Sequence, residues 1–146
     1  MELAKKCKYY FAENGRSEDE IKRAEDMLGI KFSKECLEFY LHYGYLSFAG
    51  NEIFWIYPDD MTGESEGNSL AYALEERINN GLSPNWVPIY NYNDGNMAYL
   101  DYSNLNESME PRVIEAFYDG KNYVTVGVEA EDFGDFILRL VEEDDE

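Results

Sequence analysis

The chain is 146 residues long, a length suited to a single domain over residues 1–146, and its 45% hydrophobic and 16% aromatic content excludes a charge-driven disordered chain. Its 12 Lys and Arg against 31 Asp and Glu give a formal net charge of −19 at pH 7, a field that repels nucleic acid and anionic membrane and attracts cationic partners. The acid is unevenly spread: through Gly50 there are 8 basic and 9 acidic residues, and after it 4 basic and 22 acidic.

Leu3, Cys7, Tyr10 and Phe11 fall at offsets of three and four, so the pattern predicts a first helix over 1–14, stopped by Asn14-Gly15. Ser17-Glu18-Asp19-Glu20 is a capping box that opens a helix with Ile21, Ala24 and Leu28 inward and Gly29 at its left-handed end. Ser33 caps the next helix, where Leu37, Tyr40 and Leu41 form the expected buried stripe and Gly44 the stop. The periodicity then turns strand-like at Tyr45–Phe48 and Glu52–Tyr57. Asn68 or Ser69 caps a third long helix with Leu70, Ala71, Leu74 and Ile78 inward. Trp86–Tyr90, with Pro88 marking an edge or a bulge, pairs as a hairpin with Met97–Asp101 across the turn Asn91–Gly95. A second hairpin joins Val113–Tyr118 to Asn122–Val126 through a two-residue Asp119-Gly120 turn. Glu131–Val141 is the closing helix, with Phe133, Phe136, Ile137 and Leu140 on one face, and Glu142–Glu146 is a frayed acidic tail. Terminal helices around a run of antiparallel strands define an α+β fold, a central, mainly antiparallel sheet with helices packed on it.

No run approaches the ~18 apolar residues of a membrane span, and charges interrupt Met1–Asn14 where a signal peptide needs an apolar core, so a cytoplasmic protein is expected. Cys7 and Cys36 lack metal-ligand or disulfide-framework spacing and read as two buried thiols. The single histidine, His42, sits between Leu41 and Tyr43 with no motif that supplies a nucleophile or carboxylate partner, so it reads as a packing or surface residue. Gly-x-Ser-x-Gly and phosphate-loop patterns are absent, and Asn91–Gly95 reads as a turn and not as a calcium loop. No catalytic residue, metal or cofactor is expected. A hydrolase using two carboxylates would need clustered acids in a deep cleft.

Tyrosine is in excess, at 13, with Tyr57, Tyr90, Tyr92, Tyr99, Tyr102, Tyr118 and Tyr123 all in the acidic part of the chain. Acid supplies charge complementarity and Tyr supplies rigid contact area, a combination suited to masking a basic protein.

The order of features resembles the SUKH superfamily. Ser17 to Ile30, with its acidic helix ending in Leu28-Gly29, followed by Phe32 to Leu41, is similar to the family's opening. Asn93 to Asp101 is similar to its Gly/Asp-rich turn and strand ending in Leu-Asp, and Glu131 to Ile137 to its last helix. The resemblance implies an α+β fold and a non-enzymatic bacterial immunity protein, one that binds and neutralises a cognate toxin domain, often a nuclease, of a polymorphic toxin system. It transfers no catalytic residue. Candidate contacts with a basic toxin are the loop acids Asp59, Asp60, Glu64 and Glu66 and the hairpin residues Tyr92, Asn93 and Asp94, because loops vary without disturbing a core. A regulatory or signalling adaptor of the same fold, with no toxin partner, is the alternative expectation.

Overall fold

The capping box sets the first helix. In the computed structural model, which describes residues 9–61 and 67–144, the Ser17 hydroxyl accepts from the Glu20 N–H at 3.1 Å and the Glu20 carboxylate accepts from the Ser17 N–H at 3.0 Å. Helix α1 then runs Glu18–Leu28, buries Ile21, Ala24 and Leu28, and ends on Gly29 at φ 70°, the left-handed cap expected there.

Residues 11–14 correct the expected first helix. They form strand β1 (Phe11–Asn14), paired antiparallel with β2 (Tyr43–Phe48) through Phe11↔Ser47 and Ala12↔Leu46. Residues 1–8, Cys7 among them, lie outside the described residues. Pairing with a distant strand outweighs an apolar spacing that fits a short helix equally well.

Helix α2 (Lys34–His42) follows Ser33, whose backbone has cap geometry although its side chain makes no capping bond; its N–H donates instead to the Tyr102 hydroxyl at 3.3 Å. The buried face is Cys36, Phe39 and Tyr40, while Leu41 is exposed. Gly44 does not stop this helix. The chain passes through Tyr43 straight into β2, and the buried Gly44 allows β1 its close approach, since a Cβ there would stand 2.3 Å from the Asn14 carbonyl oxygen.

β2 pairs with the short β3 (Asn51–Ile53), which completes a three-stranded antiparallel sheet. The expected strand over Glu52–Tyr57 is cut short because Phe54 and Trp55 turn to other partners: the Phe54 N–H donates to the Ile89 carbonyl and the Trp55 N–H to that of Gly67, each at 2.9 Å. Helix α3 (Ser69–Asn80) is capped by Asn68 and buries Leu70 and Ala73, and Ile78 faces solvent against expectation.

The second sheet has four antiparallel strands in the order β4 (Trp86–Asn91), β5 (Met97–Leu105), β6 (Pro111–Tyr118) and β7 (Tyr123–Ala130). Pro88 lies on an edge strand and at a register shift, which are the two places a strand tolerates proline. Met97 to Asp101 are buried in succession, so the middle of the sheet is covered on both faces. The β6–β7 connection spans four residues, not two, since Tyr118 pairs with Tyr123 and the Asp119 N–H donates to the Asn122 carbonyl at 3.0 Å. Helix α4 (Phe133–Asp144) packs on β6 and β7 with Phe133, Phe136, Ile137 and Leu140 buried. It continues through 142–144, where a frayed tail was expected; residues 145–146 lie outside the described residues.

Two antiparallel sheets and four helices among the described residues make an α+β fold. Buried Cys36 is a free thiol whose pKa burial pushes up to about 12, which leaves it unreactive near neutral pH. None of the described helices is long and apolar enough to cross a membrane.

Candidate functional site

The β4–β5 turn is held by its own side chains. Asn91 Oδ1 accepts from the Asn93 N–H at 2.8 Å, and Asp94 Oδ1 accepts from the Asn96 N–H at 2.9 Å. Asn93 takes φ 63° and Gly95 φ 98°, so the tip is a tight turn on which Asn93 and Asp94 are exposed. Tyr92 turns the other way. Its ring meets Tyr90 edge-on at 5.1 Å, and Tyr90 in turn packs on Phe136 of α4 at 5.6 Å and donates from its hydroxyl to Asn51 Oδ1 at 2.7 Å.

Tyr92 thereby lines a cleft of about 260 Å³ with Glu129 of β7 and Phe136, Arg139, Leu140, Glu142 and Glu143 of α4. Burial, then a hydrogen bond shared with Glu115, then the charge of Glu115 raise the Glu129 pKa, and Arg139 only partly offsets this. Arg139 is itself drawn to Asp135 at 3.1 Å. Burial first, then Glu129 and Glu115, likewise raise the Tyr92 hydroxyl. The cleft therefore holds a tyrosine hydroxyl among carboxylates with little cationic compensation, which suits a positively charged visitor.

The other expected contacts lie elsewhere. Asp59 forms a two-pronged ion pair with Arg23 of α1, with N···O distances of 2.6 and 3.3 Å, and Arg23 also meets Asp19 at 3.2 Å. The hydrogen bond from Arg23 holds the Asp59 carboxyl below its usual range. Asp60 is half-buried, and its carbonyl accepts from Asn68 Nδ2 at 2.7 Å. Glu64 and Glu66 lie outside the described residues. The cleft beside Tyr92 is thus lined by the hairpin, β7 and α4, and Asp59 belongs to a separate patch against α1.

Sequence reasoning missed Glu129 and Glu143 because the sheet and α4 bring them to Tyr92 from 37 and 51 positions away. It also left His42 without a carboxylate neighbour. The structure places exposed His42 in a second cleft, between α2 and α4, whose lining includes Glu35 and Glu38. Among the described residues no group of three or more His, Cys, Asp or Glu side chains is arranged to hold a metal ion.

The displaced carboxyls predict how stability depends on pH. Glu129 and Glu35 hold a proton more tightly in the fold than their ordinary value of 4.5, each mainly through burial, so they cost stability as pH rises through their folded pKa. Asp59, held down by Arg23, and Asp119, held down by the Asn122 and Lys121 N–H groups, do the reverse: their contribution is present above 3.8 and is lost as pH falls through their folded pKa. The urea midpoint in high salt is therefore expected to rise from pH 7 to about pH 5 and to fall below about pH 3.5. Glu129→Gln should flatten the upper limb. A midpoint that climbs steadily from pH 5 to pH 7 contradicts this assignment.

Compared with curated proteins, the chain matches none. Residues 15–139, from the glycine after β1 to the last turns of α4, match the SMI1 / KNR4 family (SUKH-1), and the chain belongs to that family.

Proposed function

We propose that the chain is a non-enzymatic immunity protein that binds a cognate toxin domain, a basic nuclease, and neutralises it by occlusion. Family membership supports the class of function, and the observation that carries the finer reading is the cleft in which Tyr92 faces Glu129 and Glu143. A nuclease domain must present cations to hold phosphates, and an acidic surface with a rigid aromatic offers those cations an alternative ligand. Asn93 and Asp94, exposed at the tip of the hairpin that carries Tyr92, and the acids Asp59, Asp60, Glu64 and Glu66 are the other proposed contacts.

Charge reversal separates the two patches. Asp94→Lys/Glu143→Lys is expected to slow association with the toxin domain by about tenfold at low salt. Asp59→Lys/Asp60→Lys should slow it less, because Arg23 already balances Asp59. Both variants should stay folded, with a midpoint lowered only as far as the loss of one local contact each explains, the Asn96 N–H bond to Asp94 in one and the Arg23 pair with Asp59 in the other, and association is compared where both are fully folded. Unchanged association and inhibition in either variant removes that patch from the interface.

A further inference from the structure

Helices α2 and α4 leave between them a cleft of about 310 Å³ that the reading above does not use. Its floor is aromatic and apolar: Phe39 lies 4.6 Å from Phe133 and 5.2 Å from Tyr43, and Ile137 continues the surface. Its rim is acidic. Glu38 is exposed on α2, and Glu35, one turn before it, accepts from the Gly134 N–H at 2.6 Å, which fixes the carboxylate across the mouth of the cleft.

The field behind the rim has the same sign. Buried Glu110 accepts from the Glu35 N–H at 3.2 Å and keeps its other carboxylate oxygen without a partner, and Asp132 adds its charge from the start of α4. The aromatic floor beneath the carboxylate rim calls for a cation with an apolar, planar face. A guanidinium has that shape, stacking on an aromatic ring while its edge donates to a carboxylate, whereas an ammonium is a strongly hydrated point charge. At about 310 Å³ the cleft lies at the low end of the roughly 300–1,000 Å³ of small-molecule sites, which leaves room for one side chain.

We propose that the α2–α4 cleft is an arginine-binding pocket that takes one guanidinium side chain from the basic partner, stacked on Phe39 and Tyr43 and hydrogen-bonded to Glu35 and Glu38. This rests on the reading of the chain as a binder of a basic protein and adds a second anchor at the first turns of α4, whereas the Tyr92 cleft is lined mostly by residues further along the helix.

The test is a two-dimensional amide NMR titration of the whole chain with N-acetyl-arginine amide, set against the neutral isostere N-acetyl-citrulline amide. The pocket predicts saturable shifts confined to residues around Glu35, Phe39, Tyr43 and Gly134 with the arginine compound, and none there with citrulline. Glu38→Gln, at an exposed position that leaves the fold intact, should weaken that binding by roughly three- to fivefold. Shifts spread over the acidic surface without saturation, equal shifts with citrulline, or unchanged affinity in Glu38→Gln would overturn the pocket. The titration needs no toxin, so its failure leaves the immunity reading standing. Conversely, saturable arginine binding by a chain that captures no basic protein retains the pocket and removes the toxin.

Discussion

Gly15→Ala is expected to lose about 3 kcal/mol of unfolding free energy or more, the upper range for forcing an extra carbon into a packed site. A Cβ on Gly15 would stand 1.7 Å from the Leu41 carbonyl oxygen, a backbone atom that cannot swing aside. Relief requires β1 to part from the end of α2, and that movement pulls on the Arg16 N–H bond to the Tyr40 carbonyl at 2.9 Å. Arg16 also anchors this corner through its Nε bond to the Ile56 carbonyl at 3.0 Å and its position over the Tyr57 ring at 4.3 Å. Gly127→Ala is the control: nothing lies within 4 Å of its added carbon, and its cost should stay within about 0.5 kcal/mol. Urea unfolding of the two variants decides. Similar losses in both would mean that close approach is not what Gly15 provides.

Asn68→Ala is the second large effect, and it bears on the proposed interface. Asn68 is completely buried and makes four hydrogen bonds: Oδ1 accepts from the Leu70 and Tyr57 N–H groups at 3.1 and 3.3 Å, and Nδ2 donates to the Tyr57 and Asp60 carbonyls at 2.9 and 2.7 Å. One side chain thus caps α3 and holds the turn that presents Asp59. Removing it orphans backbone groups, each at about 1–3 kcal/mol where water cannot replace the partner, so a net loss of about 3 kcal/mol is expected. Asn68→Asp should fare no better, because it keeps the acceptor for Leu70 and turns a second oxygen toward two carbonyls. Amide exchange at Tyr57, Asp59 and Asp60 should quicken in both variants. A loss below about 1 kcal/mol with unchanged exchange would show that the turn holds itself.

Local features of this fold were legible where their cause is local. The Ser17–Glu20 capping box needs only its own residues, and it forms as written. The two hairpins of the larger sheet follow from alternation and turn residues, although the β6–β7 turn takes four residues because Asp119 Oδ1 accepts from both the Lys121 and Asn122 N–H groups at 2.8 Å. Features set by distant pairing were not legible. Phe11 and Ala12 become strand because β2 offers them an edge, and Gly44 serves that approach instead of ending α2. Ile78 and Leu41 look inward by spacing, but the faces actually covered are those of Ala73 and of Phe39 and Tyr40.

The candidate site divides in the same way. Acidity and the Tyr92 turn are visible in one dimension, and the proposal of a basic partner rests on them. The carboxylates that complete the cleft come from β7 and α4, beyond the reach of any short motif. Asp59 illustrates the converse: in sequence it is a free loop acid, and in the structure Arg23 balances it.

Affinity capture from a lysate of the source cells, at low and at moderate salt, with bound proteins identified by mass spectrometry, tests the central claim most directly when wild type is run beside Asp94→Lys/Glu143→Lys. Wild type is predicted to retain one basic, nuclease-like domain at moderate salt, and the variant to release it. Only diffuse basic proteins, lost alike from both as salt rises, would contradict the toxin reading and leave a regulatory adaptor whose charge serves no single partner.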